Sequence, residues 1–303
     1  MISVCVPVFN TDVRKLGLQL VDLSAKTSVP IEILLFDDCS DEKFQLLNRE
    51  TATYSGIIYK EMESNLGRAA IRNRLGNSAT QPWLLFLDGD SSIETTDFLS
   101  RYLEAIPMGE VICGGTSYPA HSPEYQETLL RWVYGRKREQ LSALQRKLRN
   151  NFAITANNFL INREVFLQHG FRENIRGYGH EDTVLGYDLF KAGIRISHID
   201  NPVLHTGLES SAEYLEKTKK AIENLLFIHA NLIPDPEFRK ESGLLKIGFT
   251  LRKAGLLRIT ATLFRWIEPC LRKNLTGTCP KLFLFNLYRI GYMCGNSSRR
   301  ERD

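Results

Sequence analysis

The sequence predicts an α/β fold, with a mostly parallel β-sheet flanked by helices and a helical region at its C-terminal end. Short apolar runs rich in Val, Ile, Leu and Phe alternate with segments of helical periodicity through the first half of the chain. Most of these runs end in polar residues, as buried strands do where they leave a sheet. From about residue 239 onward, Lys and Arg are interspersed with apolar residues, which indicates basic amphipathic helices.

The elements predicted in chain order form repeated strand, helix, strand units. The apolar runs predict strands at residues 2–9, 31–36, 57–60, 83–87, 152–161 and 194–199. Helical spacing predicts helices at residues 13–26, 68–77, 181–192 and 212–228, and an exposed amphipathic helical excursion at residues 124–150. Ligands bind beyond the carboxyl ends of strands in open α/β sheets, so the polar residues that follow these strands are expected to share one site.

Length and composition favour a compact catalytic body over a string of small modules. The chain has 303 residues, of which 43% are apolar, and no linker-like or low-complexity run interrupts it. Pro234 and Pro236 mark a change of character, so we expect one domain at residues 1–233 and a basic helical region at residues 234–303. Residues 239–303 carry 14 Lys and Arg against 4 Asp and Glu, whereas the rest of the chain is acidic.

The cellular location is predicted from the N-terminus and the cysteines. A strand-like run follows Met1 directly, without the basic segment and cleavage site of a secretory signal. The six cysteines are scattered and form no C-x-x-C pair, which is typical of buried, reduced thiols. We therefore expect a cytoplasmic protein, with contact to the inner face of the membrane left open.

Two carboxylates stand two residues apart where an apolar run ends. Asp88 and Asp90 follow the run WLLFL, so both can reach a cation at the edge of the sheet. Mg²⁺ and Mn²⁺ prefer such oxygen ligands together with phosphate oxygens. The alternative is an ordinary Asp-Gly turn, but the position at a strand end favours a metal site.

A second acidic pair and two arginines are candidates for contacts with a nucleotide. Asp37 and Asp38 also follow an apolar run, where one can accept a hydrogen bond from a base and the other can cap the next helix. Arg68 and Arg72 are four residues apart and therefore share one helix face near a helix N-terminus, which favours a diphosphate. Helix capping and a solvated basic face are the respective alternatives.

Further along the chain, two acids and a histidine complete the candidate set. Glu181 and Asp182 begin a predicted helix after two glycines, where acids often do no more than complement the helix dipole. A transfer reaction, however, needs a base near the leaving group, which such a pair can supply. His205 follows a further strand and can provide an imidazole ligand to a metal, although a single histidine is more often structural.

Taken together, five motifs resemble those of the family 2 glycosyltransferases, over about residues 1–230. The motifs are PVFN at 7–10, DDCSD at 37–41, NLGRAAIRN at 65–73, FLDGD at 86–90 and GYGHED at 177–182. The resemblance implies the GT-A fold, with a Rossmann-like mixed and mostly parallel sheet. It also implies a sugar donor with uridine or guanosine diphosphate, of which a UDP-sugar is expected, together with inversion at the anomeric carbon and Mn²⁺ or Mg²⁺ as cofactor.

The resemblance also implies roles for individual residues. Its implied sites are a nucleotide site at Pro7, Asn10, Asp37, Asp38, Arg68, Arg72 and Asp88, a metal site at Asp90, Asp88 and His205, and a catalytic pair at Asp182 and Glu181. In that reading Asp37 reads the base, Asp90 binds the metal directly, Asp182 is the general base, and Glu181 organises the acceptor side.

The sequence departs from the family pattern in two respects. Cys39 stands where the family usually has Gly, so the turn after Asp38 is expected to differ in shape. The chain also has neither the Q-x-x-R-W motif nor the apolar segments of processive synthases, which favours single additions. A sugar-1-phosphate nucleotidyltransferase is a weaker alternative because the N-terminal loop is not glycine-rich, and a non-catalytic partner protein with the same fold stays open.

The composition of the basic C-terminal region is relevant to the identity of the acceptor. Basic amphipathic helices with aromatic residues suit the surface of an anionic membrane, and the alternative is that they pack on the catalytic body. Membrane contact through residues 239–303 would favour a lipid-linked or glycan acceptor, as in bacterial cell-surface polysaccharide synthesis. Nucleic acid is not expected as a partner because no recognition motif accompanies the charge, and oligomerisation stays open.

Overall fold

The computed structural model describes residues 1–149, 152–175 and 177–300, with side chains up to residue 297. The chain divides into two compact units. The first is Met1–Tyr118, Glu139–Arg176 and Glu181–Gly207, and the second is Pro119–Arg138, Gly177–His180 and Leu208–Asp303. The last residue of the predicted excursion, 150, and the last three residues of the predicted C-terminal region lie outside the described residues.

The first unit contains the strands that the structure describes. They are β1 Ile2–Val8, β2 Ile31–Asp37, β3 Ile57–Glu61, β4 Trp83–Leu87, β5 Ser91–Ser92, β6 Val111–Cys113, β7 Thr116–Ser117, β8 Asn158–Asn162, β9 Ile196–His198 and β10 Val203–His205. Seven of them form one sheet in the order β3-β2-β1-β4-β8-β6-β9, and β5, β10 and β7 form a small second sheet. In the large sheet β8 runs antiparallel to β4 and β6, while the other described pairs are parallel. This mixed, mostly parallel sheet confirms the predicted fold class.

Alternating side chains of the strands bury two apolar layers, one on each face of the large sheet. Along β1, Val4 and Val6 belong to one cluster, while Cys5 between them belongs to the other. Along β4, Leu85 and Phe86 divide in the same way. Because successive side chains of a strand point to opposite faces, a continuous apolar run is what a sheet covered on both sides requires.

Helices of the first unit cover the sheet and connect its strands. They are α1 Arg14–Ser24, α2 Glu42–Asn48, α3 Arg68–Ser78, α4 Phe98–Ala105, α6 Ala143–Arg149, α7 Arg163–His169 and α8 Glu181–Lys191. α3 follows β3 and packs against α7, where Gly76 lies under the ring of Phe166. This close approach positions the helix that carries Arg68 and Arg72.

The second unit is helical in the residues that the structure describes. It contains α5 Leu129–Tyr134, α9 Ser211–Phe227, α10 Pro236–Glu241, α11 Gly243–Lys253, α12 Leu257–Leu275 and α13 Leu282–Arg300. Its core is built from α5, α9, α12 and α13 and includes Leu130, Leu215, Phe264 and Tyr288. Residues 208–233 belong to this unit together with the C-terminal helices. The domain boundary predicted between residues 233 and 234 does not coincide with the division of the chain into these two units, and it stays a prediction.

Two predicted elements differ from the observed ones. The strand predicted at residues 152–161 is confined to β8, because Phe152, Ile154 and Ala156 are buried without joining the sheet. The excursion predicted at residues 124–150 is not exposed throughout, since Leu130 and Arg146 are buried, and a π-helical turn at Gly135–Glu139 precedes α6. In both segments the apolar residues serve tertiary packing that local periodicity does not reveal.

Between residues 1 and 300, leaving out 150, 151 and 176, no helix has the length and apolar character needed to cross a membrane.

Substitution of Gly76 tests the contact that positions α3. A Cβ atom at this position would lie 2.2 Å from the Phe166 ring, so Gly76→Ala is expected to destabilise the protein by about 1–3 kcal/mol. Gly295→Ala in α13 is the control, because its Cβ would meet no atom within 4 Å and should stabilise the helix by up to about 1 kcal/mol. Urea unfolding of both variants makes the comparison, and equal effects would contradict the close packing of α3 on α7.

Candidate active site

Arg72 joins the carboxylates that the sequence places far apart. Its guanidinium is 3% exposed, donates to Asp88 Oδ1 at 2.5 Å, and lies 3.9 Å from Glu181 Oε1. The same group donates to the carbonyl oxygen of Arg68 at 3.0 Å and stacks over the ring of Phe171. The loop after β4 and the start of α8 therefore meet at one buried cation.

Glu181 is held by two arginines. Its carboxylate is buried, and Arg68 Nη1 lies 3.4 Å from Oε1 on the more exposed side of the group. Burial alone would raise the pKa of Glu181, but the guanidinium groups of Arg68 and Arg72 outweigh burial and lower the pKa. Glu181 is therefore an anion at neutral pH and serves to hold the arginines.

Asp182, the next residue, has the opposite electrostatic character. Burial raises the pKa of Asp182 to about 6, and the neighbouring Glu181 carboxylate adds to the rise. The backbone N–H of Thr183 donates to its Oδ1 at 2.7 Å and opposes the shift. A carboxylate with a raised pKa is a stronger base than an ordinary aspartate, which suits proton abstraction.

Asp90 and His205 lie side by side although they are distant in sequence. β5 pairs with β10 in antiparallel register, with His205 opposite Ser91, and this brings His205 Nδ1 to 3.4 Å from Asp90 Oδ2. The backbone N–H and the hydroxyl of Thr206 both donate to the Asp90 carbonyl oxygen. Gly207 leaves room for the carboxylate, since a Cβ there would lie 2.3 Å from Oδ2.

This pair has the chemistry and spacing of two neighbouring metal ligands. Two ligands at right angles around an octahedral cation, each about 2.1 Å from it, are about 3 Å apart. Asp88 lies two residues away, but its Oδ1 is bound to Arg72. Among the described residues, no group of three or more His, Cys, Asp and Glu side chains is arranged to hold a metal ion, so the remaining ligands would come from water or phosphate oxygens.

The residues predicted to bind the base lie in a network of hydrogen bonds. Asp37 is buried at the end of β2 and accepts from the backbone of Ser40 at 2.7 Å and from Tyr59 at 3.3 Å. Asn10, after β1, accepts from the backbone of Asp41 at 2.7 Å. Asp37 thus has a structural task in the turn, and its contact with a base stays a prediction.

Asp38 shapes the approach to α3 and does not cap α2. Its two carboxylate oxygens accept the backbone N–H groups of Leu66 at 2.6 Å and Gly67 at 3.0 Å. Burial raises the pKa of Asp38, and these two hydrogen bonds work against the rise. The backbone N–H groups of the two residues before α3 are therefore already hydrogen-bonded. The predicted contact with a diphosphate would be made by Arg68 and by the first turn of the helix.

The remaining predicted positions lie around the same strand ends. Pro7 is in β1 opposite Phe36, and its carbonyl oxygen lies 3.3 Å from where a Cβ of Gly89 would be, so the Asp-Gly-Asp loop closes over the end of β1. Cys39 has a φ of 62°, the left-handed conformation that glycine adopts without cost. Cys39 thus takes up a glycine-like backbone, and the expected change of shape at this turn stays a prediction.

Two aromatic residues belong to the site but were missed from the sequence. The Tyr118 ring packs edge-on against His205, with centroids 5.5 Å apart, and Phe171 lies under Arg72. Both resemble ordinary core residues in the sequence, because an aromatic side chain carries no local mark of the charged group that it contacts. Only their distance in space to motif residues identifies them.

The fold and the site are those of an α/β protein whose charged groups gather at the carboxyl edge of a mixed sheet. A model of the family described as glycosyl transferase family 2 matches residues 3–170, which is more than half of the chain. The chain therefore belongs to the glycosyl transferase family 2, as its motifs predicted.

Two curated relatives are similar over part of their length. A cholesterol galactosyltransferase of Borreliella burgdorferi is 24% identical over 254 residues, which are 74% of this chain and 66% of the relative. An uncharacterized glycosyltransferase of Haemophilus influenzae is 32% identical over 90 residues, or 30% of this chain and 29% of the relative. The chain thus spans just under two thirds of the first relative and less than a third of the second.

Solved structures of low sequence identity share the fold. The mannosyltransferase PcManGT from Pyrobaculum calidifontis, in complex with GDP-Man and Mn²⁺, superposes with a TM-score of 0.62 at 15% identity, covering 99% of this chain and 86% of that one. TarS 1-349 of S. aureus in complex with UDP has a TM-score of 0.50 at 15% identity and covers 99% and 91% of the two chains.

Removal of the Arg72 cation tests its role at the centre of the site. Arg72→Met leaves Asp88 without its cation and takes one of two arginines from Glu181, and it is expected to destabilise the protein by about 3–5 kcal/mol at pH 7. Arg101→Met is the control, because its pair with Asp97 is exposed to solvent and should contribute little to stability. Urea unfolding measures both.

The effect of Arg72→Met should also depend on pH. The folded pKa of Glu181 lies below its unfolded value, so the stability that this group contributes is present above the unfolded pKa and is lost as the pH falls. The difference between wild type and Arg72→Met should therefore narrow on acidification. A constant difference, or one no larger than that of Arg101→Met, would contradict this role.

Proposed function

We propose that this protein transfers a sugar, with inversion, from a nucleoside-diphosphate sugar to a hydroxyl group of a glycan or lipid-linked acceptor. The observation that carries the proposal is the convergence of Asp88, Glu181 and Arg72, since it brings the loop after β4 and the start of α8 to one place. Family membership and the fold shared with proteins solved in complex with GDP-Man or UDP support a nucleotide-sugar donor. UDP-sugars are the first candidates to test.

The donor would lie along the carboxyl edge of the sheet. Asn10 and Asp38 form hydrogen bonds in the turn that would meet the nucleoside, as does Asp37, and Arg68, half exposed at the start of α3, would meet the diphosphate. The buried Arg72 would keep Asp88 in place and would add positive electrostatic potential near the diphosphate. A guanidinium at a helix N-terminus is a favourable partner for phosphate oxygens.

A divalent cation would be held by Asp90 and His205, with Asp88 beside them. A carboxylate and an imidazole suit Mn²⁺, and Mg²⁺ is the alternative where oxygen ligands dominate. When bound, such a cation neutralises negative charge that develops on the departing nucleotide. The short β5-β10 pairing keeps its two ligands together without any contribution from the substrate.

Asp182 would take the proton from the acceptor hydroxyl that attacks the sugar. Its raised pKa, to about 6, leaves it ionised at neutral pH yet more basic than an ordinary aspartate. Glu181, held by the arginines, would keep the start of α8 in place and organise the acceptor side. The leaving nucleotide and the base would then act from different sides of the sugar, as inversion requires.

The base assignment is tested by Asp182→Asn. Release of UDP from a panel of UDP-sugars, with Mn²⁺, should fall by about 10²–10⁴-fold, because an amide cannot accept the proton. Binding of UDP, measured by calorimetry, should stay within a few-fold of wild type. Wild-type release should rise with pH as Asp182 loses its proton around pH 6, and the variant should lack this rise.

The control for this variant lies on the same helix. Asp188→Asn makes the same chemical change at a residue that pairs with Arg172, and it should keep wild-type release. Normal turnover by Asp182→Asn would exclude it as the base. Absence of both UDP binding and release in the wild type would count against the transferase itself.

The metal assignment is tested with Asp90→Asn and His205→Ala. Each should weaken Mn²⁺-dependent binding of UDP by about 10- to 100-fold, because each removes one of two adjacent ligands. Asp97→Asn, an exposed carboxylate at the start of α4, is the matched control and should bind as wild type does. UDP binding and release that are unchanged by EDTA would rule out the metal and leave the transferase proposal standing.

A further inference from the structure

A short segment of chain runs from α8 to the loop after β4. It consists of residues 152–157, which directly precede β8, and is called the bridging segment. At one end, the Phe152 carbonyl oxygen lies so close to Gly186 of α8 that a Cβ there would collide with it. At the other end, the Asn157 carbonyl oxygen accepts the backbone N–H of Asp88 at 3.4 Å. The bridging segment therefore joins the helix of the proposed base to the acidic loop at the sheet edge.

Asp182 lies on the side of α8 that faces the bridging segment. It comes four residues before Gly186, and residues four apart share one face of a helix. The Cys113 sulfur lies 4.0 Å from the Ala153 carbonyl oxygen. Burial raises the pKa of the Cys113 thiol to about 12, and the Asp182 carboxylate adds to the rise while the backbone N–H of Thr155 opposes it. Asp182 and the bridging segment thus act on the same thiol and lie close together.

The bridging segment combines buried apolar side chains with two accessible polar ones. Ile154 and Ala156 belong to the core on one face of the large sheet, whereas Thr155 is exposed and Asn157 is half-buried. A turn brings these two polar residues together, because the backbone N–H of Asn158 donates to the Thr155 carbonyl oxygen at 3.4 Å. The segment contains no charged residue. Its accessible polar side chains are one hydroxyl and one amide, which suit uncharged hydroxyl partners.

Both side chains have hydrogen-bonding capacity that the protein does not use. The Asn157 amide pairs with the Thr116 hydroxyl, which accepts from Nδ2 at 2.8 Å and donates to Oδ1 at 3.2 Å. An amide has two N–H donors and two acceptor positions, so one of each is left without a partner among the described residues. Within the same described residues, the Thr155 hydroxyl makes no hydrogen bond. Thr116 lies in β7, which pairs with the strand of His205.

We infer that Thr155 and Asn157 bind hydroxyl groups of the donor sugar. The inference rests on the proposed function, in which the sugar lies between the cation-bound diphosphate and Asp182. The bridging segment runs between the elements that hold these two groups, and its unused donors and acceptors match those of a sugar hydroxyl. A site that hydrogen-bonds a substrate hydroxyl rejects analogues that lack it, so the two residues would help to select the sugar.

A purely structural role for Asn157 is the alternative, since its pair with Thr116 links the start of β8 to β7. Loss of such a link would disturb the site as a whole and would weaken binding of a nucleotide and of its sugar conjugate alike. Loss of a contact with the sugar would weaken binding of the conjugate only. The difference between the two ligands therefore separates these roles.

Calorimetry in the presence of Mn²⁺ measures this difference. UDP and GDP are compared with UDP-glucose, UDP-galactose, UDP-N-acetylglucosamine and GDP-mannose, and the sugar conjugate that wild type binds most tightly is taken forward. Asn157→Ala should weaken its binding by about three- to tenfold and leave the parent nucleotide unchanged, because one neutral hydrogen bond to the sugar is lost. Thr155→Val keeps the side-chain shape without the hydroxyl, and it should have an effect of similar size.

Asn77→Ala and Thr80→Val are the matched controls. Asn77 is exposed near the end of α3 and Thr80 is exposed before β4, at the opposite edge of the large sheet from the bridging segment. Both variants should bind every ligand as wild type does.

Monodeoxy forms of the preferred sugar identify the hydroxyl. Wild type should lose about three- to tenfold in affinity for one of them, and Asn157→Ala or Thr155→Val should lose nothing more on that analogue, because the same hydrogen bond is already missing. Variants that weaken nucleotide and conjugate equally, or neither, would overturn the inference and leave the transferase proposal standing. A wild type that binds none of the six ligands would overturn both.

Discussion

The contact of Arg72 with Asp88 and Glu181 is the interaction on which the site depends. A buried guanidinium requires partners, and here they come from the loop after β4 and from the start of α8. The loss of Arg72 would leave Asp88 without a cation and Glu181 with Arg68 alone. The loop after β4 and the start of α8 are thereby held at the same cation.

The two adjacent acids of α8 show how the same surroundings produce different chemistry. Glu181 faces the arginines and has its pKa lowered, whereas burial beside an existing negative charge raises the pKa of Asp182. A single residue step along the helix is enough, because it rotates the side chain by 100°, and the described ion pairs with Arg68 and Arg72 are made by Glu181. Environments that separate the pKa values of neighbouring acids are a common feature of catalytic sites.

Much of this arrangement could be predicted from the sequence because many of the site residues directly follow the ends of strands. Apolar runs of four to eight residues located β1, β2, β3 and β4, and the polar residues after them do lie at one edge. The direction of β8 could not be predicted, since an apolar run looks the same whichever way it enters the sheet. β5, β7 and β10 have two or three residues each, which is too short for any periodicity to be recognised.

The partners of Arg72 could not be predicted from the sequence either. Spacing placed Arg68 and Arg72 on one face of α3, but it could not distinguish an arginine that meets solvent from one that is sealed against carboxylates. The structure makes that distinction through burial, with Arg68 half exposed and Arg72 enclosed. Asp38 is a similar case, because its partners at Leu66 and Gly67 lie nearly thirty residues away.

The pairing of β5 with β10 has a consequence for how this protein can change over evolutionary time. Asp90 and His205 are neighbours because two very short strands align, and a slip by one residue would turn His205 to the opposite face. Within the long stretch of chain between them, β7 takes part in that alignment because it pairs with β10. Insertions and deletions in the loops of that stretch, away from β7, would lengthen or shorten the chain between Asp90 and His205 while the two side chains continue to meet.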